Sequence, residues 1–148
     1  MLSYGDVYRH FSHIRGVKDL EMHFQTVCIF ADERQPKGLY IPLAGKADIN
    51  RAIENGAIAA LWQKDVPVPR NIPNDFPLFA ADNLAGGFLK VMQHYINQLE
   101  SKDREMKTSF IFYAPDGKSE PYTYDLSAAS TRQLLARAAR QMEGRGRA

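Results

Sequence analysis

A short segment near the C-terminus contains the residue types that phosphate-binding loops use. Such a loop needs glycines so that backbone N–H groups curl around oxygen atoms, a lysine for the outer phosphates and a hydroxyl for magnesium. Gly117, Lys118 and Ser119 supply one residue of each type. The flanking sequence instead favours a β-hairpin turn, because Asp-Gly is a common turn pair and Tyr122 and Tyr124 are typical of a strand. We therefore interpret the triplet as a degenerate phosphate loop.

Histidine and cysteine residues offer two further kinds of chemistry. His10 and His13 lie three residues apart on a predicted helix and could share a metal, but no third ligand is near them in the sequence. Cys28 falls inside an apolar run, where a buried and unreactive thiol is expected. We therefore predict surface histidines, no metal site, no cofactor and no catalytic residue.

The composition limits the classes of partner. Nineteen basic and seventeen acidic side chains leave a formal charge of +2, which does not require nucleic acid or an anionic membrane. A solvated helix face explains the C-terminal arginines, which are Arg132, Arg137, Arg140, Arg145 and Arg147. A single cysteine favours a reducing compartment, and neither an export signal nor a membrane span is visible. We predict a cytoplasmic protein that binds neither nucleic acid nor membranes.

The N-terminal elements that must position these residues follow from periodicity and capping. Ser3 and Asp6 form a capping box, and apolar residues at helical spacing predict a first helix that ends at Gly16. β-branched and aromatic runs predict strands at residues 26–31, 39–43 and 58–62. Between the last two runs, Asp48 caps a short helix, and Gly56 ends it.

The C-terminal half continues the alternation of strands and helices. It contains predicted strands at 78–81, 108–113 and 122–126, a long helix capped by Asp82 that runs to Leu99, and a helix that includes Leu134 to Met142. The charged stretch 100–107 predicts an exposed linker, which divides the chain into residues 1–99 and a hairpin-and-helix extension at 108–148. Because the apolar runs are continuous rather than alternating, we predict an α/β fold, a small mixed sheet with flanking helices.

Several of these residues occur at the spacing of a family pattern. They are Asp32-Glu33-Arg34, Pro36, Gly38, Gly45 and Gly56-Ala57, followed by Ala80-Ala-Asp-Asn-Leu-Ala85 at the start of the long helix. They resemble the N-terminal domain of the Mur ligases, the ATP-dependent enzymes that add amino acids to the UDP-muramoyl peptide precursor of the bacterial cell wall. The resemblance covers about residues 1–99.

In the Mur ligases this domain holds the uridine nucleotide of the substrate, so the resemblance implies a nucleotide-binding cleft. The residues that it assigns to the cleft are Asp32, Glu33, Arg34, Gly45, Lys46, Ala47 and Asp48. Two departures favour the alternative that these residues only shape the chain, with Asp32 pairing to Arg34. Glu33 replaces the serine of the family and would repel a diphosphate. The glycine and histidine that follow the loop aspartate in the family are missing after Asp48, so the loop is shortened.

The resemblance implies a stand-alone relative of the substrate-recognition domain that binds a UDP-sugar or docks to a protein partner in peptidoglycan synthesis. We expect no catalysis by the chain alone, because its 148 residues end where the ATP-binding domain of the family would begin. Two alternatives stay open. One is an interaction module that has lost nucleotide binding and forms a homodimer through the strand at 122–126, and the other is a subunit of a cell-wall peptide ligase acting in trans.

Overall fold

Strands and helices alternate along most of the chain in the computed structural model, which describes residues 1–100, 107–116 and 119–146. The helices are α1 (Tyr4–His10), α2 (Ile49–Glu54), α3 (Leu84–Glu100) and α4 (Ala129–Gly146). The strands are β1 (Leu2–Ser3), β2 (Ser12–Arg15), β3 (His23–Phe24), β4 (Thr26–Cys28), β5 (Gly38–Tyr40), β6 (Ala57–Gln63), β7 (Leu78–Ala81), β8 (Ser109–Tyr113) and β9 (Pro121–Tyr124). Within these described ranges, no helix is both long and apolar enough to cross a membrane.

Seven of the strands form one mixed sheet, in the order β2-β7-β6-β5-β4-β8-β9, and β1 pairs with β3 beside it. The five central strands are parallel to one another, whereas β2 and β9 are antiparallel to their neighbours at the two edges. The predicted α/β fold with a mixed sheet and flanking helices is therefore confirmed. The β8–β9 hairpin continues the sheet through the parallel pairing of β8 with β4.

The two faces of the sheet bury different cores. Successive residues of β6 alternate between them: Ala59 and Leu61 belong to the core under α3 and α4, and Ala60 and Trp62 belong to the core under α2. The first core is the larger and is rich in aromatic rings, such as Phe88. Because both faces are covered, the central strands are apolar throughout, and this is the origin of the continuous apolar runs in the sequence.

The first helix is shorter than predicted. α1 ends at His10, and Phe11 already has extended backbone angles, with φ −135° and ψ 146°. The following residues form β2, whose backbone groups pair with β7. Gly16 ends this strand rather than a helix, at φ 99°, and a Cβ there would lie 2.4 Å from the carbonyl oxygen of Phe76. Periodicity does not distinguish one long helix from a short helix followed by a strand, because the apolar residues of this segment also fit one helix face.

Most other boundaries follow the sequence closely. The predicted caps of α1 and α2 are confirmed. The predicted cap of α3 is wrong, because Asn83 rather than Asp82 accepts a hydrogen bond from the backbone N–H of Gly86, at 2.7 Å. Asp82 instead lies 3.8 Å from Lys64 Nζ. The predicted strands coincide with β4 to β9, although β4 and β5 are shorter than expected, and positions 101–106 of the predicted linker lie outside the described residues.

Candidate functional site

Arg51 joins the two segments that the resemblance assigns to a nucleotide cleft. Its Nε donates to Asp32 Oδ1 at 2.9 Å, and its Nη1 donates to Glu54 Oε2 at 3.2 Å. The backbone N–H of Arg51 donates to Asp48 Oδ1 at 3.0 Å. The structure thus brings Asp32 and Asp48 together through a residue that the sequence did not single out. It also shows that the alternative pairing of Asp32 with Arg34 is wrong, because the carboxylate pairs with Arg51.

The other predicted cleft residues surround this cluster at the surface. Gly45 has φ 63°, and no atom lies within 4 Å of the position that a Cβ would occupy. Arg34, Lys46 and Ala47 are exposed, whereas Glu33 is half-buried. The two cations among them, Arg34 and Lys46, form no ion pair with the described part of the chain. Two unpaired positive charges therefore follow the carboxyl ends of β4 and β5.

Gln35 anchors the loop that carries Asp32 and Arg34. Its buried side-chain Nε2 donates to the carbonyl oxygens of Phe30 at 2.7 Å and Glu33 at 3.2 Å. Gly56 lies directly against it, at φ 114°, and a Cβ there would come within 2.7 Å of the Gln35 carbonyl oxygen. No sequence pattern marks Gln35 as buried, because its partners are backbone atoms whose positions depend on the fold.

A groove of about 920 Å³ opens at the carboxyl ends of the parallel strands. Leu43 after β5, Gln63 at the end of β6, Asn83 after β7 and Tyr113 at the end of β8 border it on the sheet side, and Arg137 of α4 borders it opposite. We call this cavity the edge groove. Of the described residues that line it, none is acidic and Arg137 alone carries a formal charge. The groove therefore suits a ligand with apolar parts and negative charge.

The degenerate phosphate loop contributes one residue to this groove. Ser119 lines it, whereas Gly117 and Lys118 lie outside the described residues. The segment connects two antiparallel strands, β8 and β9, as the hairpin interpretation predicted. A phosphate loop of the nucleotide-hydrolysing type opens a helix instead, so this connection lacks the helix end that would face the phosphates.

Cys28 is buried in the structure. Burial raises the pKa of the Cys28 thiol to about 12, against a smaller opposing effect of its hydrogen bond to the Phe30 backbone. A thiol with this pKa stays protonated at neutral pH, so it is a poor nucleophile. The expectation of an inert cysteine agrees with this environment.

The histidines are not arranged as predicted. His13 lies on β2 rather than on the helix of His10, so the two do not share a helix face. His10 instead contacts His94 of α3, with 2.9 Å between His10 Nε2 and His94 Nδ1. His94 Nε2 in turn lies 3.1 Å from Asp6 Oδ1. We call Asp6, His94 and His10 the histidine relay.

The carboxylate of the histidine relay is buried and fully engaged. Besides His94, it accepts hydrogen bonds from Gln98 Nε2 at 2.7 Å and from the Ser3 backbone N–H at 2.9 Å. Burial by itself would raise the pKa of Asp6, but these hydrogen bonds and the charge of His94 leave the pKa below its ordinary value. The sequence marked Asp6 only as a helix cap, because its other partners lie far along the chain.

No protein-family model, no curated protein and no solved structure matches this chain. The resemblance to the Mur ligases accordingly stays a prediction from the sequence motifs quoted above.

Proposed function

We propose that the protein is a binding module that holds a uridine diphosphate sugar at the carboxyl ends of its parallel strands. The observation that carries the proposal is the edge groove, whose volume of about 920 Å³ lies within the range of small-molecule sites. Ligands of open α/β sheets bind in the crevice outside the carboxyl ends of the strands. The groove lies at that edge and receives residues from the ends of β5, β6, β7 and β8.

Two of the three side-chain amides that line the groove, those of Asn83 and Gln63, can serve as a donor and an acceptor. Asn83 uses its Oδ1 to cap α3, which leaves its Nδ2 as a donor. Gln63 donates its Nε2 to the Asp82 carbonyl, which leaves its own carbonyl oxygen as an acceptor. A pyrimidine such as uracil presents both an N–H and carbonyl oxygens. The pair therefore matches the base of the proposed ligand.

The charged part of the ligand has cations within reach of the same edge. Arg137 borders the groove, and its guanidinium can form two parallel hydrogen bonds to a phosphate. The loop after β5 contributes Leu43 to the groove and, three residues later, the unpaired Lys46. This loop therefore links the groove to the residues that the Mur ligase resemblance assigns to nucleotide binding, and the resemblance is the reason for choosing a uridine nucleotide.

Titration calorimetry with UDP and with a UDP-muramoyl peptide tests the proposal. We expect a dissociation constant between about 1 µM and 1 mM, because one charged side chain and a few neutral polar groups define the polar part of the site. Arg137→Ala should weaken binding by at least about tenfold, because the charge-assisted contact to the phosphate is lost. Arg140→Ala is the matched control, since Arg140 lies on the same helix, is exposed and does not line the groove.

Two results would reject nucleotide-sugar binding in the groove. One is the absence of heat with either ligand at millimolar concentration. The other is an equal loss of affinity in the Arg137→Ala and Arg140→Ala variants, which would indicate nonspecific attraction to the basic helix.

A second candidate function is self-association through the edge of the sheet. β9 is an edge strand with three of its four residues exposed, and Tyr122 retains 49% of its accessible surface. Ala114 donates its backbone N–H to the Glu120 carbonyl oxygen, so these two residues form a hydrogen-bonded pair. Because hydrogen-bonded and non-hydrogen-bonded pairs alternate along an antiparallel ladder, Thr123 is in a non-hydrogen-bonded pair, and its backbone groups point away from β8. An unpaired strand edge of this kind can receive a strand from a second copy.

Light scattering across a concentration series tests the second candidate. A homodimer that forms through β9 should dissociate in the Thr123→Pro variant, because proline removes the outward N–H and leaves the β8 ladder intact. Thr123→Ser is the matched control, because Thr123 is exposed and serine keeps the backbone N–H. A wild-type monomer at every concentration would exclude this function.

A further inference from the structure

The contacts of Asp6 determine which nitrogen atoms of the histidine relay carry protons. An ionised carboxylate only accepts hydrogen bonds, so His94 Nε2 is the donor to Asp6. In a neutral His94 ring, Nδ1 is then the acceptor, and His10 Nε2 is the donor to it across 2.9 Å. The remaining nitrogen of His10, Nδ1, is an acceptor in the neutral ring and becomes a donor when His10 takes up a proton.

His10 borders a second cavity, of about 420 Å³, beside the start of α3. Its other polar lining residues are Lys64, Lys90, Ser12, Asn83 and the carboxylate Asp82, and we call it the lysine pocket. Lys64 shares its charge with Asp82 at 3.8 Å, whereas Lys90 forms no ion pair within the described part of the chain. The pocket thus contains one unshared positive charge, hydroxyl and amide groups, and a titratable ring.

The charges around His10 come from three elements. They are Asp6 and Arg9 of α1, Lys90 and His94 of α3, and Lys64 and Asp82 across the pocket beside the sheet. Burial, His94 and Lys90 lower the pKa of His10 below its ordinary value, and Asp6 acts in the opposite direction. The lowered pKa keeps His10 neutral at neutral pH, and the ring gains its charge as the pH falls further.

We propose that the lysine pocket binds a tetrahedral oxyanion, such as the phosphate group of a phosphomonoester, and that protonated His10 donates a hydrogen bond to it. Lys90 supplies the permanent positive charge, and the Ser12 hydroxyl supplies a neutral polar contact. Because an anion favours the charged ring, anion binding and proton binding at His10 reinforce each other. Affinity for the anion must therefore rise as the pH falls.

Asp6 acts in this pocket as a positioning residue. It does not line the cavity, but it orients His94, which holds His10 Nε2. An Asp6→Asn substitution can present its amide N–H to His94, which reverses the preferred proton arrangement along the relay. The expected consequence is a shift of the pH midpoint of anion binding, with the anion contacts themselves retained.

Sulfate is the first probe, because it stays a dianion over the relevant pH range and any pH dependence then belongs to the protein. Calorimetry at constant ionic strength should show at least fivefold tighter sulfate binding at about pH 5.5 than at about pH 7.5. The histidine ring resonances of His10 and His94 should move on titration with sulfate. Inorganic phosphate and glycerol phosphate form a second arm, in which tighter binding of the ester indicates an organic phosphate as the ligand.

Two surface substitutions identify the pocket, each with a matched control. His10→Gln should abolish the pH dependence of sulfate binding, and His23→Gln, at an exposed histidine on β3, should preserve it. Lys90→Gln should weaken sulfate binding about fivefold at both pH values, and Lys37→Gln, at an exposed lysine that lines neither cavity, should leave it unchanged. Asp6→Asn should shift the pH midpoint, provided that circular dichroism shows the native fold.

The proposal is overturned if the wild-type protein binds neither sulfate nor phosphate at millimolar concentration, or if His10→Gln and Lys90→Gln bind sulfate as the wild type does. Failure here leaves the edge groove unaffected, because Arg137→Ala tests UDP binding at a separate cavity. The converse also holds, since sulfate binding needs no nucleotide.

Discussion

The cluster around Arg51 and the histidine relay contain the same kinds of groups but differ in burial. The side chain of Asp32 is 85% exposed where it meets Arg51, whereas the side chain of Asp6 is only 11% exposed where it meets His94. Both carboxylates accept charge-assisted hydrogen bonds near 3 Å. Water can replace Arg51 as the partner of Asp32 at little cost in free energy, but it cannot easily reach Asp6. Burial therefore decides which of two similar contacts holds the fold together.

The largest expected difference between these regions is in stability. Asp6→Ala should lower the free energy of unfolding by about 3 kcal/mol, because it removes the carboxylate that accepts hydrogen bonds from Gln98 Nε2 and the Ser3 N–H, and with it half of the α1 capping box. Asp32→Ala is the control and should leave the urea midpoint unchanged within error. Equal losses in the two variants would contradict the role given to burial.

Substitution of Gln35 tests whether a buried neutral side chain in the predicted cleft contributes to stability as the buried Asp6 does, rather than as little as its exposed neighbours do. Gln35→Ala should cost about 2 kcal/mol, since the carbonyl oxygens of Phe30 and Glu33 lose their donor inside the protein. Urea unfolding followed by circular dichroism measures the loss. A cost below that of Asp48→Ala would show that the loop after β4 is held by other contacts.

Asp48 belongs to the exposed cluster but has a defined backbone role as the cap of α2. Asp48→Ala should lower stability by about 1 kcal/mol, the usual cost of removing an N-cap side chain. Asp48→Asn should recover most of this, because its carbonyl oxygen can still accept from the Arg51 N–H. If neither variant changes the unfolding midpoint, α2 does not depend on its cap.

The smallest effect concerns acid stability. The pKa of Asp6 in the folded protein is below its ordinary value of about 3.9, so its ionised form stabilises the fold. This contribution is complete above about pH 4 and is lost as the pH falls towards the lowered pKa. Between about pH 5 and pH 2, the free energy of unfolding should therefore fall less steeply with decreasing pH in Asp6→Asn than in the wild type. Parallel curves would place the lowered pKa on another group.

Local signals in the sequence were sufficient for much of this fold. The caps at Ser3 and Asp48 and the strand at 78–81 depend on residues within a few positions of one another, and all three were predicted. β2 was missed because its identity as a strand comes from pairing with β7, and a short edge strand has little pattern of its own.

The site illustrates the same limit. Arg51 was overlooked because its ion pair with Asp32 spans two elements, and the relay was overlooked because His10 and His94 are 84 positions apart. The spacing of apolar residues placed His10 and His13 on one helix. The tertiary structure instead places each histidine in a different environment, which the periodicity of the sequence does not indicate.

The position of β8 has a consequence for the order in which the protein can assemble during synthesis. β4 has β5 on one side and β8 on the other, and β8 follows α3 in the chain. A nascent chain that has already built β4 to β7 still leaves the β4 backbone open along one side, over the apolar residues Val27 and Cys28. At about 5–20 residues per second, that edge stays unpaired for several seconds, long enough to attract another strand. This side of β4 is thus closed only by a strand that leaves the ribosome after β5, β6 and β7, and a pause in translation before β8 would favour aggregation.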